Sequence, residues 1–403
     1  MIVAVSTAAR LFGTVALFAL LARAVGPADF GRFSYWYAVA VVVGAITDYG
    51  FSQQVLRDIS AASVESAQHQ LAELSRAKAW LALVCSSLVL AYVFTATENL
   101  NEVGLAVLLV GGGVGASYFD FFGLVLRARK AYRAESFASL CNSVGGSLLA
   151  GVAAYFSHSV IVSALVLLVI RLFSVVALIR FLRREVLPAR SHAGNSQSPI
   201  ATLIAGRYFA FDNVATQMFG SLDALLVKHL LDPTMTGIYL AGTRLVQASL
   251  AGIPVIASVF LPAIVRAESK SASLRMKAAL LAFASLAGVV VASMFLIGRN
   301  WLPTILFGRN FSALSELLPY FGAFVLFRYM AAAPGISLTA NGRQLARAVV
   351  TATSLCVAVL CGAGLRISHG SFKAEDICIA MALAALVQAA LYAMTLMKSS
   401  SDE

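Results

Sequence analysis

Residues 160–181 read VIVSALVLLVIRLFSVVALIRF, an apolar run with Arg171 at its middle and Arg180 at its end. A helix needs about 20 mainly apolar residues to cross the hydrocarbon of a bilayer. A strand in the core of a soluble protein is much shorter, at about 4–8 residues. The run therefore predicts a membrane-spanning α-helix.

Similar runs fill the rest of the chain. The protein has 403 residues, of which 60% are hydrophobic and 12% charged. Soluble domains have about 45–50% apolar and about 25% charged residues. The apolar runs predict twelve spans, at 3–23, 33–55, 77–95, 104–126, 136–156, 160–181, 206–231, 237–264, 278–298, 314–339, 345–365 and 375–397. We therefore expect an all-α integral membrane protein without a separate soluble domain.

A polar stretch rich in Gly, Ser, Asn and Pro lies midway along the chain, which indicates a linker between two halves. The halves also share an echo. LARAVGPADFGRF at 21–33 and VKHLLDPTMTGIY at 227–239 place a proline, a glycine and an aromatic residue at the same intervals. Internal repeats of this kind are typical of transporters. The predicted parts are an N-terminal six-helix lobe at 1–182, a linker at 183–205 and a C-terminal six-helix lobe at 206–403.

The basic residues follow an alternating pattern. The net charge is +11, but the charge is spread over alternate loops, one of which we take to hold Arg57, Arg76 and Lys78. A spread of this kind does not suggest a nucleic-acid partner. By the positive-inside rule it predicts that the linker and both termini are cytoplasmic. The N-terminal run lacks a basic n-region and a cleavage site, so we interpret it as a retained span.

No residue pattern predicts a metal or a cofactor. The five cysteines all fall in apolar runs without a CxxC pair, and the histidines form no ligand cluster. GGGVGAS at 111–117 does not match the GxxxxGK[ST] phosphate loop. We expect its glycines to permit close helix approach instead.

Four arginines fall inside predicted spans: Arg10, Arg171, Arg244 and Arg328. A charged residue within a bilayer costs about 2.5–3.5 kcal/mol on insertion scales, which makes such residues functional candidates. Arginine presents a planar fork of donors that suits phosphate oxygens, so these four could line a cationic cavity that binds an anionic substrate. Arg10 and Arg244 lie near span ends, where extension of the side chain to the membrane interface is an equal alternative.

Acidic residues inside the spans are the second set of candidates. Asp48 and Asp120 could either couple transport to an ion or neutralise arginines within the bundle, and the second role is the preferred one. Asp212 and Asp223 lie in the seventh span with Lys228, and they could either pair with cations or couple transport to H⁺ or Na⁺. Of the two, Asp223 is the preferred ion site because it lies deeper in the span.

Several motifs together carry a family resemblance: ARAVGPADFGRFSYW at 22–36, TDYGFSQQVLRDIS at 47–60, LRARKAYRAESFASL at 126–140, SLDALLVKHLLDPTMTGIYLAGTRLVQ at 221–247, and ILFGRNFSALSELLPYFGAFVLFRYM at 305–330. With these the sequence resembles the polysaccharide flippases, the Wzx-type branch of the multidrug/oligosaccharidyl-lipid/polysaccharide exporter superfamily. The motifs are distributed over most of the chain.

The resemblance implies a fold, a substrate and a location. The fold would be two six-helix lobes around a central cavity. The substrate would be an undecaprenyl-diphosphate-linked oligosaccharide that crosses the bacterial inner membrane, in contact with membrane lipid. Its partners would be a polysaccharide polymerase and a chain-length regulator. Arg10 and Asp223 stand where the family has a cavity arginine and an aspartate in the seventh span.

Two alternatives remain open at this stage. A drug or toxin exporter of the same superfamily would share the fold, but its cationic substrates favour an acidic cavity rather than arginines. A membrane polysaccharide polymerase or ligase would need a large outer loop, whereas the longest predicted outer loop, at 299–315, is short. We therefore expect a transporter and not an enzyme.

The predicted topology can be tested by cysteine labelling in a variant whose native cysteines are replaced. A cysteine at Ser196, in the linker, should react only from the cytoplasmic side. A cysteine at Glu98, in a loop poor in basic residues, should react only from the outside. Labelling of both positions from the same side would contradict the topology.

Overall fold

The computed structural model describes residues 2–55, 59, 63–96, 99–186, 203, 210, 213–214, 216–266, 269–369 and 373–401. Within them every regular element is helical. The chain divides into two compact units, Met1–Gln217 (unit 1) and Met218–Glu403 (unit 2). Most of the predicted linker at 183–205 lies outside the described residues, so that linker stays a prediction.

Unit 1 is a bundle in which the first and fourth helices lie at the centre. α1 packs against α4 and α6, and α7 packs against α4 and α6. Single π-helical turns follow α5 and α7, at Cys141–Gly145 and Leu182–Val186. The helices are α1 (Ile2–Asp48), α2 (Phe51–Gln54), α3 (Val64–Ala96), α4 (Leu100–Ala128), α5 (Tyr132–Leu140), α6 (Gly146–Ser157) and α7 (Val160–Phe181).

Unit 2 is built around one long helix. α13 packs against α9, α10, α11, α14 and α15. Its side chains are buried over most of its length. The helices are α8 (Leu222–Leu230), α9 (Pro233–Leu250), α10 (Gly252–Val265), α11 (Lys270–Gly298), α12 (Leu302–Phe307), α13 (Leu314–Ala340), α14 (Gln344–His369) and α15 (Ala374–Ser401).

The two segments of the internal echo have the same local structure. In α1, Gly26 has φ 75° and ψ 174°, a backbone conformation that interrupts the helix and that favours glycine. Pro27 then opens the second part of α1. In unit 2, Asp232 caps α9 by accepting hydrogen bonds from the N–H groups of Thr234 and Met235, and Pro233 is the first helical residue. Each proline therefore starts a helix, where its missing N–H costs nothing.

The described residues include ten helices long and apolar enough to cross a membrane. The first, Ala9–Asp48, overlaps most of two predicted spans, at 3–23 and 33–55, on either side of Gly26. The predicted span at 206–231 lies largely outside the described residues, with α8 as its longest described part. The remaining predicted spans each match one of these helices, as expected for an all-α, multi-pass membrane protein.

The third helix begins well before its apolar part, which matters for the site. The predicted apolar span begins at residue 77, whereas α3 begins at Val64. The residues before 77 are polar yet favour helix, so the helix continues past its apolar part. Lys78 therefore lies about four turns inside a helix and not in a loop.

The glycine-rich stretch of α4 sits against two neighbouring helices. A Cβ atom at Gly113 would lie 2.4 Å from the carbonyl oxygen of Ala40 in α1, so only glycine permits this approach. A Cβ atom at Gly112 or Gly115 would lie 3.4 or 3.5 Å from atoms of Arg171 in α7. The expected role of these glycines in close packing is therefore visible on both sides of α4.

Replacing Gly113 by Ala should destabilise unit 1, because the added methyl group meets a backbone carbonyl that cannot rotate away. Overpacking of this kind typically costs about 1–3 kcal/mol. Thermal unfolding of the purified protein in detergent would measure the loss. Gly104→Ala is the matched control, since it lies in the same helix with nothing within 4 Å of the new methyl group. Equal melting temperatures of the two variants would contradict this packing.

Candidate functional site

Unit 1 encloses a polar cavity of about 280 Å³ between helices that are otherwise apolar. Gly44 and Gly113 form part of its wall. Because glycine has no side chain, the α1–α4 contact leaves this space open. The polar side chains on the wall are Tyr37, Asp48, Ser52, Ser117, Asp120, Arg171, Asn213 and Gln217. Three of the predicted site residues, Asp48, Asp120 and Arg171, therefore share one cavity.

Asp120 is paired with the first predicted arginine. The Nη1 atom of Arg10 donates to Oδ1 of Asp120 at 3.2 Å, and its Nε atom donates to Ser139. Glu135, with a side chain only 4% exposed, lies 3.9 Å from Arg10 and accepts a 2.8 Å hydrogen bond from Arg127. Arg10 thus lies between two carboxylates, and one of them, Glu135, is shared with Arg127.

Asp48 has a lysine partner instead of the expected arginine. The Nζ atom of Lys78 lies 3.4 Å from Oδ1 of Asp48 and donates to Oγ of Ser117 at 2.7 Å. Lys78 is fully buried, with 0% exposure. The same Asp48 oxygen accepts a 2.6 Å hydrogen bond from Ser52. Among the described residues the cation beside Asp48 is therefore Lys78, which the length of α3 brings into the bundle.

Arg171 keeps a less compensated charge on the cavity wall. Its Nη2 atom is 3.5 Å from the hydroxyl of Tyr37, and its guanidinium carbon is 5.7 Å from the centroid of that ring. Among the described residues, no carboxylate lies within 4.0 Å of its nitrogens. A cation of this kind can attract an anionic group into the cavity.

Unit 2 holds a second cavity, of about 240 Å³, lined by Asp223, Tyr239, Gln247 and Arg328 together with apolar side chains. Asp223 accepts hydrogen bonds from the Tyr239 hydroxyl at 2.9 Å and from the N–H of Ala224 at 2.8 Å. Within the described part of the chain, no Lys or Arg nitrogen lies within 4.0 Å of its carboxylate. Among the described residues, the hydrogen bonds that the Asp223 carboxylate accepts therefore come from neutral donors.

Arg328 is held by neutral groups as well. Its Nη1 atom donates to Oε1 of Gln388, and its guanidinium carbon lies 4.7 Å from the ring centroid of Phe219. Gln388 in turn donates to Thr351 and to the hydroxyl of Tyr392, both at 3.3 Å. No described carboxylate lies within 4.0 Å of Arg328. The amide fixes the guanidinium in place without cancelling its charge.

The remaining predicted site residues fall in three different situations. Arg244 is buried, at 6% exposure, and donates to Gln247 at 2.9 Å. Lys228 lies on α8 with Asp223, but the two charges do not approach within 4.0 Å. Asp212 lies outside the described residues. Among the residues that the structure describes, no group of three His, Cys, Asp or Glu side chains could hold a metal.

Four site residues were missed at the sequence level: Lys78, Glu135, Tyr239 and Gln388. Lys78 and Glu135 were each assigned to a loop, because we placed the span boundaries at the ends of apolar runs. Tyr239 and Gln388 carry no charge and so gave no signal of their own. For Lys78, the helix-forming composition of residues 64–76 could have indicated that the helix begins earlier.

Comparison with known proteins assigns a family to this arrangement. A family model described as polysaccharide biosynthesis protein matches residues 1–268. The chain belongs to the polysaccharide biosynthesis protein family. No protein with a curated description matches the sequence.

Solved structures similar to this polysaccharide biosynthesis protein include MATE transporters. An inward-facing MATE family transporter of the MOP superfamily matches with a TM-score of 0.79 and 11% identity, covering 98% of this chain and 95% of that one. An outward-facing one matches with a TM-score of 0.68 and 13% identity, over 98% and 96%. A mutant of the Vibrio cholerae MATE transporter VcmN has a TM-score of 0.65 and 12% identity, over 99% and 98%. These matches show a shared fold.

Proposed function

We propose that this protein is a flippase for an undecaprenyl-diphosphate-linked oligosaccharide, the repeat unit of an O-antigen, capsule or exopolysaccharide. It would move this lipid across the bacterial inner membrane by alternating access, with both termini cytoplasmic. Support comes from membership of the polysaccharide biosynthesis family and from a transporter fold. A polymerase and a chain-length regulator would act on the delivered repeat unit.

The observation that carries the proposal is the uncompensated guanidinium of Arg328. A lipid diphosphate cannot enter hydrocarbon without paired charges and hydrogen-bond donors, because burial of an unpaired ion is very costly. Arg328 offers a forked cation inside the unit 2 cavity, and Gln388 and Phe219 leave that charge available. Arg171 likewise offers a cationic guanidinium to the unit 1 cavity. Arg10 and Arg244 would contribute to the field around the substrate rather than bind it directly.

The polar wall of the unit 1 cavity is suited to sugar groups. Sugar hydroxyl groups both donate and accept hydrogen bonds, and the amides of Asn213 and Gln217 with the carboxylate of Asp120 can supply matching acceptors and donors. An aromatic ring, that of Tyr37, is also present. These groups support a substrate that carries an oligosaccharide.

Replacing Arg328 by Gln should lower transport strongly while leaving the protein folded. A charge-assisted hydrogen bond contributes about 1.5–3 kcal/mol, so we expect a loss of roughly 10-fold to 100-fold. Arg328→Lys should recover only part of it, because lysine lacks the fork. The measurement is translocation of a labelled isoprenoid-diphosphate oligosaccharide in proteoliposomes.

Arg275→Gln is the matched control for this experiment, since Arg275 is exposed in α11 and lines neither cavity. It should retain wild-type transport. The proposal fails if Arg328→Gln transports the glycolipid at the wild-type rate. It also fails if the wild-type protein exports cationic dyes but does not move the glycolipid, which would indicate a drug exporter.

We further propose that Asp223 is the site at which H⁺ or Na⁺ couples to transport. Its carboxylate faces the unit 2 cavity, and neutral donors leave its charge uncompensated within 4.0 Å among the described residues. Such a group can take up and release a cation. Moving one charge through the membrane field is worth about 2.3 kcal/mol per 100 mV, enough to shift a two-state equilibrium more than tenfold.

Asp223→Asn should therefore abolish the stimulation of transport by an imposed ion gradient while retaining part of the unstimulated rate. Vesicles with and without a proton or sodium gradient provide the comparison. Asp29→Asn is a suitable control, because Asp29 pairs with Arg32 outside both cavities. Gradient stimulation that survives both Asp223→Asn and Asp212→Asn would exclude the seventh span as the coupling element.

A further inference from the structure

The ammonium group of Lys78 occupies a site made of oxygen atoms. Its Nζ atom donates to Oγ of Ser117 at 2.7 Å and lies 3.4 Å from Oδ1 of Asp48. Ser117 in turn donates to the carbonyl oxygen of Gly44 at 2.9 Å, which orients its lone pairs toward the lysine. A carboxylate and a hydroxyl are thus turned toward a single positive charge.

Aromatic rings enclose the same charge on its other sides. The Nζ atom is 5.3 Å from the ring centroid of Tyr118 and 5.4 Å from that of Phe121, which is within the range of cation–π attraction. Lys78 is fully buried, whereas the Asp48 side chain is 17% exposed and lines the cavity. The site is therefore closed around the cation and open at its carboxylate.

Oxygen groups of this kind are also the ligands that hard metal cations prefer. An ion that reached the cavity would meet Asp48, Ser52 and Ser117 at the wall. It cannot be bound there while a lysine ammonium already satisfies the carboxylate. The other charged groups nearby are Asp120 with its partner Arg10, and Arg171.

Unit 2 provides the contrast. Asp223 also faces a cavity, but it accepts hydrogen bonds from the hydroxyl of Tyr239 and the N–H of Ala224. Among the described residues no lysine or arginine nitrogen comes within 4.0 Å of it. In unit 1 the cation beside the carboxylate is therefore part of the protein, the ammonium group of Lys78. In unit 2 the carboxylate of Asp223 can receive a cation from solution.

We propose that Lys78 is a tethered substitute for a monovalent metal cation, and that removing its ammonium converts the Asp48–Ser117 site of unit 1 into a Na⁺ site. Lys78 would thereby prevent unit 1 from taking up an ion during transport. The restriction of coupling to unit 2 rests on the function proposed for Asp223. The latent Na⁺ site in unit 1 does not.

The test is the effect of Na⁺ on the thermal unfolding of Lys78→Met in detergent, with choline chloride at the same ionic strength as the reference. Methionine keeps the length of the side chain but removes the charge. A ligand that binds only the folded state raises its melting temperature. We expect Na⁺ to raise the melting temperature of this variant by about 2–4 °C more than that of the wild-type protein, whose own response would report Na⁺ bound at Asp223.

Two controls separate the site from general salt effects. Lys78→Met combined with Asp48→Asn lacks the carboxylate and should respond to Na⁺ no more than the wild-type protein does. Lys277→Met removes a lysine that lines neither cavity and should also respond as the wild type does. A Na⁺ response above the wild-type level in either control would overturn the assignment.

Two further outcomes are decisive for Lys78→Met itself. Recovery of folded protein only when Na⁺ is present would support the site, because Na⁺ would then replace the ammonium. Equal melting in Na⁺ and choline would overturn it, and so would loss of the variant in both salts, because an accepted Na⁺ would restore the fold. Since the readout uses no glycolipid, failure of the proposed flippase activity would be recognised separately.

Discussion

Hydrocarbon does not solvate charge, so each ionisable side chain placed inside this bundle must find its partner within the protein. Unit 1 meets this requirement with the Lys78–Asp48 pair and the Arg10–Asp120–Glu135 cluster. The Lys78–Asp48 pair joins α3 to α1. The Arg10–Asp120–Glu135 cluster joins α1 to α4 and α5, which lie more than 100 residues from Arg10 along the chain. Charge pairing therefore fixes the arrangement of helices that apolar surfaces alone could pack in several ways.

Some charged side chains that line the two cavities have no oppositely charged partner within 4.0 Å among the described residues. Arg171 and Arg328 are held by a hydroxyl, an amide and aromatic rings, and Asp223 is held by a hydroxyl and a backbone amide. Neutral partners orient a charge without reducing it, which suits a group that must respond to a ligand. The difference between paired and unpaired ions thus separates residues that support the fold from residues that can act on a substrate.

The membrane-spanning architecture was predictable because long apolar runs have few structural alternatives. The echo around Pro27 and Pro233 indicated an internal repeat, and in the structure each proline begins a helix. Pairings within the bundle were less accessible, because they depend on how helices are rotated and on where they begin. Lys78 illustrates the limit, since its hydropathy suggests a loop while the helix that carries it starts at Val64. Gln388 became visible only through its contact with Arg328.

The amide of Gln388 has a consequence for the diversification of related proteins. Glutamate differs from glutamine by one oxygen in place of one nitrogen, and a single nucleotide change can exchange the two residues. A descendant with glutamate here would hold the same guanidinium in the same position with its charge cancelled. Such a lineage could come to carry uncharged lipids without any change in its helices. Under the role proposed for Arg328, selection could change the charge of the substrate through one atom that need not touch it.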